Sequence, residues 1–414
     1  MTVTSASQLL SFAEARHAVE QHAATLTPTR PELTGLLDAV GMVLAEDLLA
    51  DCDFPPFPRA TRDGYAVRSA DVQSVPASLR CVATIKAGAT IEESGVSLGS
   101  GEAVEIMTGA PVPAGADAVV MVEYTESADA GVTVQRAVKA GENVVPAGSE
   151  AHCGDVMVKR GTRIRHAVAA VAAAAGRVEL AVCRRPSVAI LATGDELVDV
   201  NLPPGPNEIR NSNSYSLAAQ VYEAGGEATL LPVARDDAAE LAILIRKGLD
   251  ADLLLLSGGV SMGKYDLVEE VLASLDARFF FTGVAIQPGK PVVFGEVALN
   301  GKITPFFGLP GNPVSTMVTF QLFVRPVLDA LAGAKPEPLP FTQAILKAPL
   351  TTKTGLTRFL PAKLDGAQDR PGVELVPWQG SGDLMAAARA NCYIVVPPDR
   401  EQFEAGGTVT VLLS

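Results

Sequence analysis

Between residues 181 and 333, continuous apolar runs alternate with amphipathic segments. The runs SVAILAT, ATLLPVA, ADLLLLS and RFFFTGVAI show no polar alternation, so each reads as a strand covered on both faces. Between them, SYSLAAQVYEAG, DAAELAILIRKGL and DLVEEVLASL repeat apolar residues at helical spacing. The alternation predicts βα units and a mostly parallel, doubly wound sheet. In such sheets ligands bind beyond the carboxyl ends of the strands. TGDEL (193–197), SGGVSMGKYD (257–266) and QPGKP (287–291) fall at those ends.

Other patterns flank this region. The first fifty residues predict helices over SFAEARHAVEQHA and GLLDAVGMVLAEDL, stopped by the prolines of DFPPFP. Short alternating runs such as LRCVATI, EAVEIM and DAVVMVE then predict a β-rich domain to about residue 145. An alanine-rich helix at 166–175 is closed by Gly176. After the proline-rich GAKPEPLP, short strands return in TQAILKAPL, TRFLPAKL, CYIVVPP and GTVTVLL, as in a small β-barrel or sandwich. The chain thus reads as multidomain α/β plus β. The expected parts are an N-terminal mixed domain (1–50 with 145–180), an inserted β-rich domain (51–144), the α/β domain (181–333) and a C-terminal β-barrel (337–414).

At 414 residues the chain is too long for one ordinary core. Its formal charge is −14, and no stretch concentrates lysine or arginine, which argues against nucleic acid and anionic membrane as partners. The five cysteines are scattered and form no C-x-x-C pair, so neither zinc nor a disulfide framework is expected. The N-terminus lacks the form of a secretory signal. The run AVAAVAAAA falls short of the ~20 residues a membrane helix needs. A soluble, cytoplasmic protein is the expectation.

Several loops could carry chemistry. In SGGVSMGKYD, the residues Ser257, Gly258, Gly259, Ser261 and Gly263 form a supple backbone able to approach a ligand, and also suit a simple turn in which Asp266 caps a helix. Asp195 and Glu196 suit Mg²⁺, which takes one or two carboxylates together with substrate phosphates; a turn cap and a solvated acid are the plainer alternative. In GLPGNPVS, Asn312 fits an N-cap and Pro313 the first helical position, leaving the amides of Val314 and Ser315 open to an oxyanion. Lys290 alone would be a solvated turn residue. Asp63, Thr108 and Ser381 could each be turn or cap residues.

Taken in order, DGYAVR, IMTGAPVPAGADAVVMVE, ILATGDELV, LSGGVSMGKYD, QPGKPVVFG, GLPGNPVS and GSGDLMAAARAN resemble the molybdopterin molybdenumtransferases of the MoeA type, related to the gephyrin E domain. The resemblance spans nearly the whole chain. It implies four domains, an α/β domain like that of molybdopterin adenylyltransferase, and a homodimer whose clefts join that domain to the partner's β-rich domain. It also implies a reaction of adenylylated molybdopterin with molybdate, dependent on Mg²⁺, that releases AMP. By position, the functional residues carried over are Asp63, Thr108, Glu196, Asp266, Lys290, Pro310, Pro313 and Ser381, with the neighbouring Gly311 and Asn312 as further substrate contacts. The catalytic set is Asp63, Glu196, Asp266 and Lys290, with Glu196 and Asp266 as Mg²⁺ ligands. Glu150, Asp236 and Asp237 match a further acidic site.

This chain departs from the family pattern in three places. Gln287 replaces a basic residue ahead of PGKP, GSE replaces GED at Glu150, and GLTRFLP leaves Arg358 as a displaced cation for the oxyanion. Two alternatives stay open on sequence: molybdopterin adenylyltransferase activity, and a gephyrin-like scaffold without catalysis. The resemblance also admits the upstream adenylyltransferase as a partner.

Overall fold

The apolar runs of the central region form one six-stranded sheet, ordered Glu227–Leu230, Ser187–Ala192, Leu253–Ser257, Lys302–Leu309, Val293–Leu299 and Arg278–Phe281. The first four strands run parallel, the fifth runs against them, and the sixth is antiparallel to the fifth. The computed structural model describes residues 9–89, 95–128, 131–259 and 267–414. Asp266, Ser261 and Gly263 therefore lie outside the described residues. The chain divides into two units, Met1–Ala45 with Gly161–Arg165 and Leu180–Ser414, and Glu46–Arg160 with His166–Glu179.

The larger unit is built on the leucine run. Successive strand residues point to opposite faces, so Leu253 and Leu255 enter one core while Leu254 and Leu256 enter the other. On the first face lie the helices Phe12–Ala23 and Asn213–Glu223 and the helical stretch Pro313–Leu331, through Leu217, Val221, Val318 and Phe323. On the second, Ala238–Gly248 and Leu267–Ser274 contribute Leu241, Ile245, Val268 and Leu272. The sheet is doubly wound, as its pattern predicts. Pro313–Leu331 is long and apolar enough to cross a bilayer, but 67% of it is buried in the protein, as a core helix is.

The C-terminal strands Phe341–Leu346, Gly372–Leu375, Thr357–Leu364, Cys392–Val396 and Thr408–Leu413 close on themselves, which makes a barrel and not a sandwich. Leu360 and Ala362 fill the barrel, while Phe359 packs into the α/β core. Ile286–Gln287, from the α/β region, joins the barrel beside Thr357 and Arg358.

One predicted helix is absent. SFAEARHAVEQHA is helical, with a capping box between Ser11 and Glu14. GLLDAVGMVLAEDL instead folds into turns and the two-residue strands Val43–Leu44 and Leu48–Leu49. Gly41 takes a φ of +85°, and Val43 and Leu44 pair with Cys183 and Val182. Strand pairing wins over helical propensity here, and Leu37 is left 81% exposed with no face to cover.

The smaller unit carries a six-stranded sheet ordered Ala118–Met121, Gly64–Val67, Glu102–Ile106, Ala77–Ile85, Gly131–Val134 and Thr125–Ala128. Tyr65 and Val67 enter one core and Ala66 the other. Gly64 admits no side chain, because a Cβ there would overlap the Val120 carbonyl oxygen. The helix His166–Ala174 ends at Gly176, whose φ is +67°.

Asp252 fixes the start of the central strands in the larger unit. Its carboxylate accepts from Arg184 at 2.7 Å and from the Ser187 amide and hydroxyl at 2.8 Å each. Burial opposes its charge, but these donors outweigh burial and hold its pKa below the ordinary value. A depressed carboxylate pKa adds stability that is full above the unfolded value and is lost as pH falls through the folded one. Asp252→Asn should cost about 1–3 kcal/mol in urea unfolding at neutral pH. The gap between the two proteins should narrow only below about pH 4.

Candidate functional site

The parallel strands end together, and the loops beyond them are tied edge to edge. The Thr193 amide donates to the Ser257 carbonyl at 3.0 Å, and the Gly258 amide to the Leu309 carbonyl at 3.2 Å. At the outer end, the Thr193 hydroxyl donates to Asp236 Oδ1 at 3.2 Å, and the Asp236 amide to Asp195 Oδ1 at 3.3 Å. Val293, first residue of the antiparallel strand, pairs with Gly308, so the preceding Lys290 belongs to the same edge. Of the sequence candidates, this edge holds Glu196, Asp236, Asp237, Ser257, Gly258, Gly259, Lys290, Pro310, Gly311, Asn312 and Pro313.

Glycine is required where the loops touch. Gly258 has a φ of +89°, and a Cβ there would sit 2.5 Å from the Thr193 carbonyl oxygen. A Cβ on Gly311 would lie 3.6 Å from the Gly258 Cα. Two strand-end backbones thus run side by side. The Gly258 amide is consumed by Leu309, while those of Gly259 and Gly311 make no hydrogen bond among the described residues.

Asn213 joins the two loops, and sequence reasoning missed it. Its Nδ2 donates to Ser257 Oγ at 2.9 Å and to the Gly311 carbonyl at 2.7 Å, while its buried Oδ1 has no partner among the described residues. In the sequence it is one of two asparagines opening a helix, indistinguishable from a capping residue.

The helix starting at Pro313 differs from expectation. Asn312 is its N-cap residue but makes no side-chain cap, and the Val314 amide is not open: it donates to the Ser381 carbonyl at 3.0 Å. A turn of the C-terminal part therefore takes one of the two amides expected to face an oxyanion, while the Ser315 amide makes no such bond among the described residues. Ser381 does not cap the helix Leu384–Arg389, because Asp383 takes that role by accepting from Ala386 at 3.0 Å. Asp237 likewise is a cap, accepting from Glu240 at 2.8 Å at the start of Ala238–Gly248.

The charges at the edge divide into spent and free ones. Among the described residues no donor pairs with the Glu196 carboxylate, which folds over Gly194 where a Cβ would lie 2.6 Å from its Oε2. The Lys290 ammonium also has no partner among the described residues, and Lys290 is linked through its carbonyl to the Val284 amide at 2.9 Å. Arg358 pairs with Gln287 across the strands, is 9% exposed, and donates through Nε to the Lys353 carbonyl at 3.0 Å. Among the described residues, no three His, Cys, Asp or Glu side chains form a cage for a metal.

Asp63, Thr108 and Glu150 lie in the smaller unit. The Asp63 carboxylate accepts from the Thr108 amide at 2.6 Å and its hydroxyl at 2.8 Å, and these bonds hold its pKa below the ordinary value. Asp63 is thus an exposed, ionised and fixed carboxylate. Glu150 faces Arg59 at 3.2 Å, so its charge is already balanced.

The MoeA N-terminal region (domain I and II) model matches residues 10–176, the probable molybdopterin binding domain 189–330, and the MoeA C-terminal region (domain IV) 343–414. The molybdopterin molybdenumtransferase of Staphylococcus epidermidis is 34% identical over 384 residues, covering 91% of this chain and 90% of that protein. That of Staphylococcus aureus strain COL is 34% identical over 392 residues, covering 93% and 91%. The chain belongs to the MoeA family of molybdopterin molybdenumtransferases. The crystal structure of the molybdopterin biosynthesis MoeA protein from Pyrococcus horikoshii is 32% identical, with a TM-score of 0.74, and covers 98% of this chain and 99% of that one. A second structure of the P. horikoshii protein gives a TM-score of 0.80 at 28% identity. As a MoeA-family transferase of molybdenum cofactor biosynthesis, the chain carries the family's N- and C-terminal regions on either side of the molybdopterin-binding one, which sets aside the lone adenylyltransferase.

If Asn213 holds the two glycine loops in register, Asn213→Ala should weaken binding of a molybdopterin nucleotide about 10-fold or more. Asn213→Asp, which keeps size but loses the donor, should behave alike in calorimetric titration. Wild-type affinity in both variants would remove the residue from the site.

Proposed function

We propose that this MoeA-family protein transfers molybdenum, supplied as molybdate, onto adenylylated molybdopterin, with Mg²⁺ present and AMP released. The observation that carries the proposal is the free Glu196 carboxylate beside two glycine-lined strand ends. Among the described residues, that edge holds Asp195, Glu196, Asp236 and Asp237 against Lys290 and Arg235, so the acids outnumber the bases and a diphosphate laid on it meets net repulsion unless a cation comes with it.

Mg²⁺ fits the residues present. It keeps few protein ligands, prefers carboxylate oxygen and completes its shell with phosphate and water; Glu196 offers two unpartnered oxygens, and Asp266 would supply the second carboxylate. Bound there, the ion would neutralise charge on the diphosphate as the phosphoanhydride opens.

The remaining roles fall to the chain itself. The Gly259 and Gly311 amides donate to the nucleotide phosphates, and Asn213 sets the distance between them. Lys290 binds the incoming oxyanion by a charge-assisted hydrogen bond. Arg358, buried with its Nε taken, leaves the remaining guanidinium N–H groups for the same anion, and the Ser381 hydroxyl adds a donor. Asp63, held ionised by Thr108, acts from the partner subunit of a homodimer.

Single-turnover release of AMP from adenylylated molybdopterin tests the chemistry. With Mg²⁺ and molybdate, Glu196→Gln should retain binding yet release AMP about 100-fold more slowly; wild-type turnover in that variant would falsify the carboxylate's role. Mixing tests the dimer. Asp63→Asn and Glu196→Gln chains, each inactive alone, should regain activity after subunit exchange, since one site of the mixed dimer is intact. Persistent inactivity in a proven heterodimer would place Asp63 and Glu196 on the same chain's site.

A further inference from the structure

Cys52 and Cys153 belong to none of the arrangements above. Leu49 pairs with Val156 and Phe54 with Ala151, both antiparallel and in one register. The Ala50 amide donates to the Asp155 carbonyl at 2.9 Å, and the Phe54 amide to the Ala151 carbonyl at 2.8 Å. Stepping inward from either end of this stretch puts Cys52 opposite Cys153. Between the two pairings, residues 152–155 make a turn in which the Asp155 amide donates to the His152 carbonyl at 2.9 Å, so the two cysteines face each other across a short irregular stretch and not a regular ladder; a disulfide spans Cα separations of about 4.4–6.8 Å. The side chain agrees: Cys153 Sγ lies 3.4 Å from the Asp51 carbonyl oxygen, in the peptide bond leading to Cys52. Both thiols are free and exposed, whereas Cys183 and Cys392 are buried and Cys81 is half-buried.

We propose that Cys52 and Cys153 are an oxidisable dithiol whose co-substrate is a low-molecular-weight disulfide. The thiolate of one cysteine attacks a sulfur of that disulfide and forms a mixed disulfide, releasing half of the oxidant as a thiol after it takes up a proton. The second cysteine's thiolate then displaces the other half. Two cysteine thiols are oxidised to one disulfide, one external disulfide is reduced to two thiols, and two protons pass from the former to the latter.

The bond would tie together the chain segments entering and leaving the six-stranded sheet of the smaller unit, since that sheet runs from Gly64 to Val134. A cross-link closing so long a loop restricts the unfolded chain and stabilises the fold. Local desolvation, then the Asp51 carboxylate, raise the Cys52 pKa, with Cys153 and Asp53 adding to the effect. His152, 3.5 Å from Asp53, is the neighbouring base. Thiolate is the attacking form, so oxidation speeds up as pH rises.

The test uses the full chain, reduced, desalted and incubated with oxidised glutathione at pH 7 and at about pH 9. Peptide mapping without reductant should find one linked pair, Cys52 with Cys153, formed faster at the higher pH. The melting midpoint of the smaller unit should rise by roughly 5–10 °C, and dithiothreitol should reverse it. Cys52→Ser and Cys153→Ser should each lack the linked peptide and the rise. Glutathione adducts on both cysteines with no link between them, or no linked peptide at either pH, would overturn the dithiol. A linked peptide with an unchanged midpoint would overturn its stabilising role.

Discussion

The parallel register of four strands is the constraint on which the site depends. Because Ser187–Ala192, Leu253–Ser257 and Lys302–Leu309 are hydrogen-bonded in step, their last residues reach one line, and everything attached to them emerges side by side. Ala192 pairs with Ser257, and Ser257 with Leu309. That line then fixes the backbone beyond it: Thr193, Gly258 and Gly311 approach so closely that glycine is needed at 258. The leucines behind them, shared between two cores, hold the register by burying both faces of the sheet. A slip of one residue would send those side chains into the wrong core.

Electrostatics follow from this geometry. An edge made of strand ends gathers whatever acidic residues the loops carry, here Asp195, Glu196, Asp236 and Asp237. Most are used locally: Asp195 and Asp236 accept hydrogen bonds from neighbouring loops, and Asp237 caps a helix. Glu196 is left over. A carboxylate with no partner among the described residues would be a costly neighbour for a bound anion, and a divalent cation shared with the ligand would remove that cost. The Val314 amide, by contrast, is already satisfied by the Ser381 carbonyl, which leaves Ser315 as the one amide of the expected pair without such a bond among the described residues.

Much of the fold was legible because burial leaves a periodic trace. Uninterrupted apolar runs marked the central strands, alternation marked strands of the inserted β-rich domain, and Gly176 marked the end of its helix. Pairing partners leave no such trace. The segment GLLDAVGMVLAEDL has helical spacing, and only the distant Val182 and Cys183 turn part of it into strand. The same limit hid Asn213, whose two partners are 44 and 98 residues away. It also hid the opposition of Cys52 and Cys153, which exists only once Leu48–Leu49 pairs with Val156–Val158 and Phe54 with Ala151. Residues that act through long-range pairing are the ones composition and spacing cannot reveal.

The reading stands or falls on a divalent cation held at Glu196 that meets a diphosphate lying against the glycine strand ends. Manganese substituted for magnesium in crystals with adenylylated molybdopterin addresses it directly, because anomalous scattering locates the ion independently of the ligand. An anomalous peak is expected within coordination distance of both the Glu196 carboxylate and the diphosphate, with the phosphates lying over Gly259 and Gly311. A diphosphate bound elsewhere, or a peak away from Glu196, would contradict it.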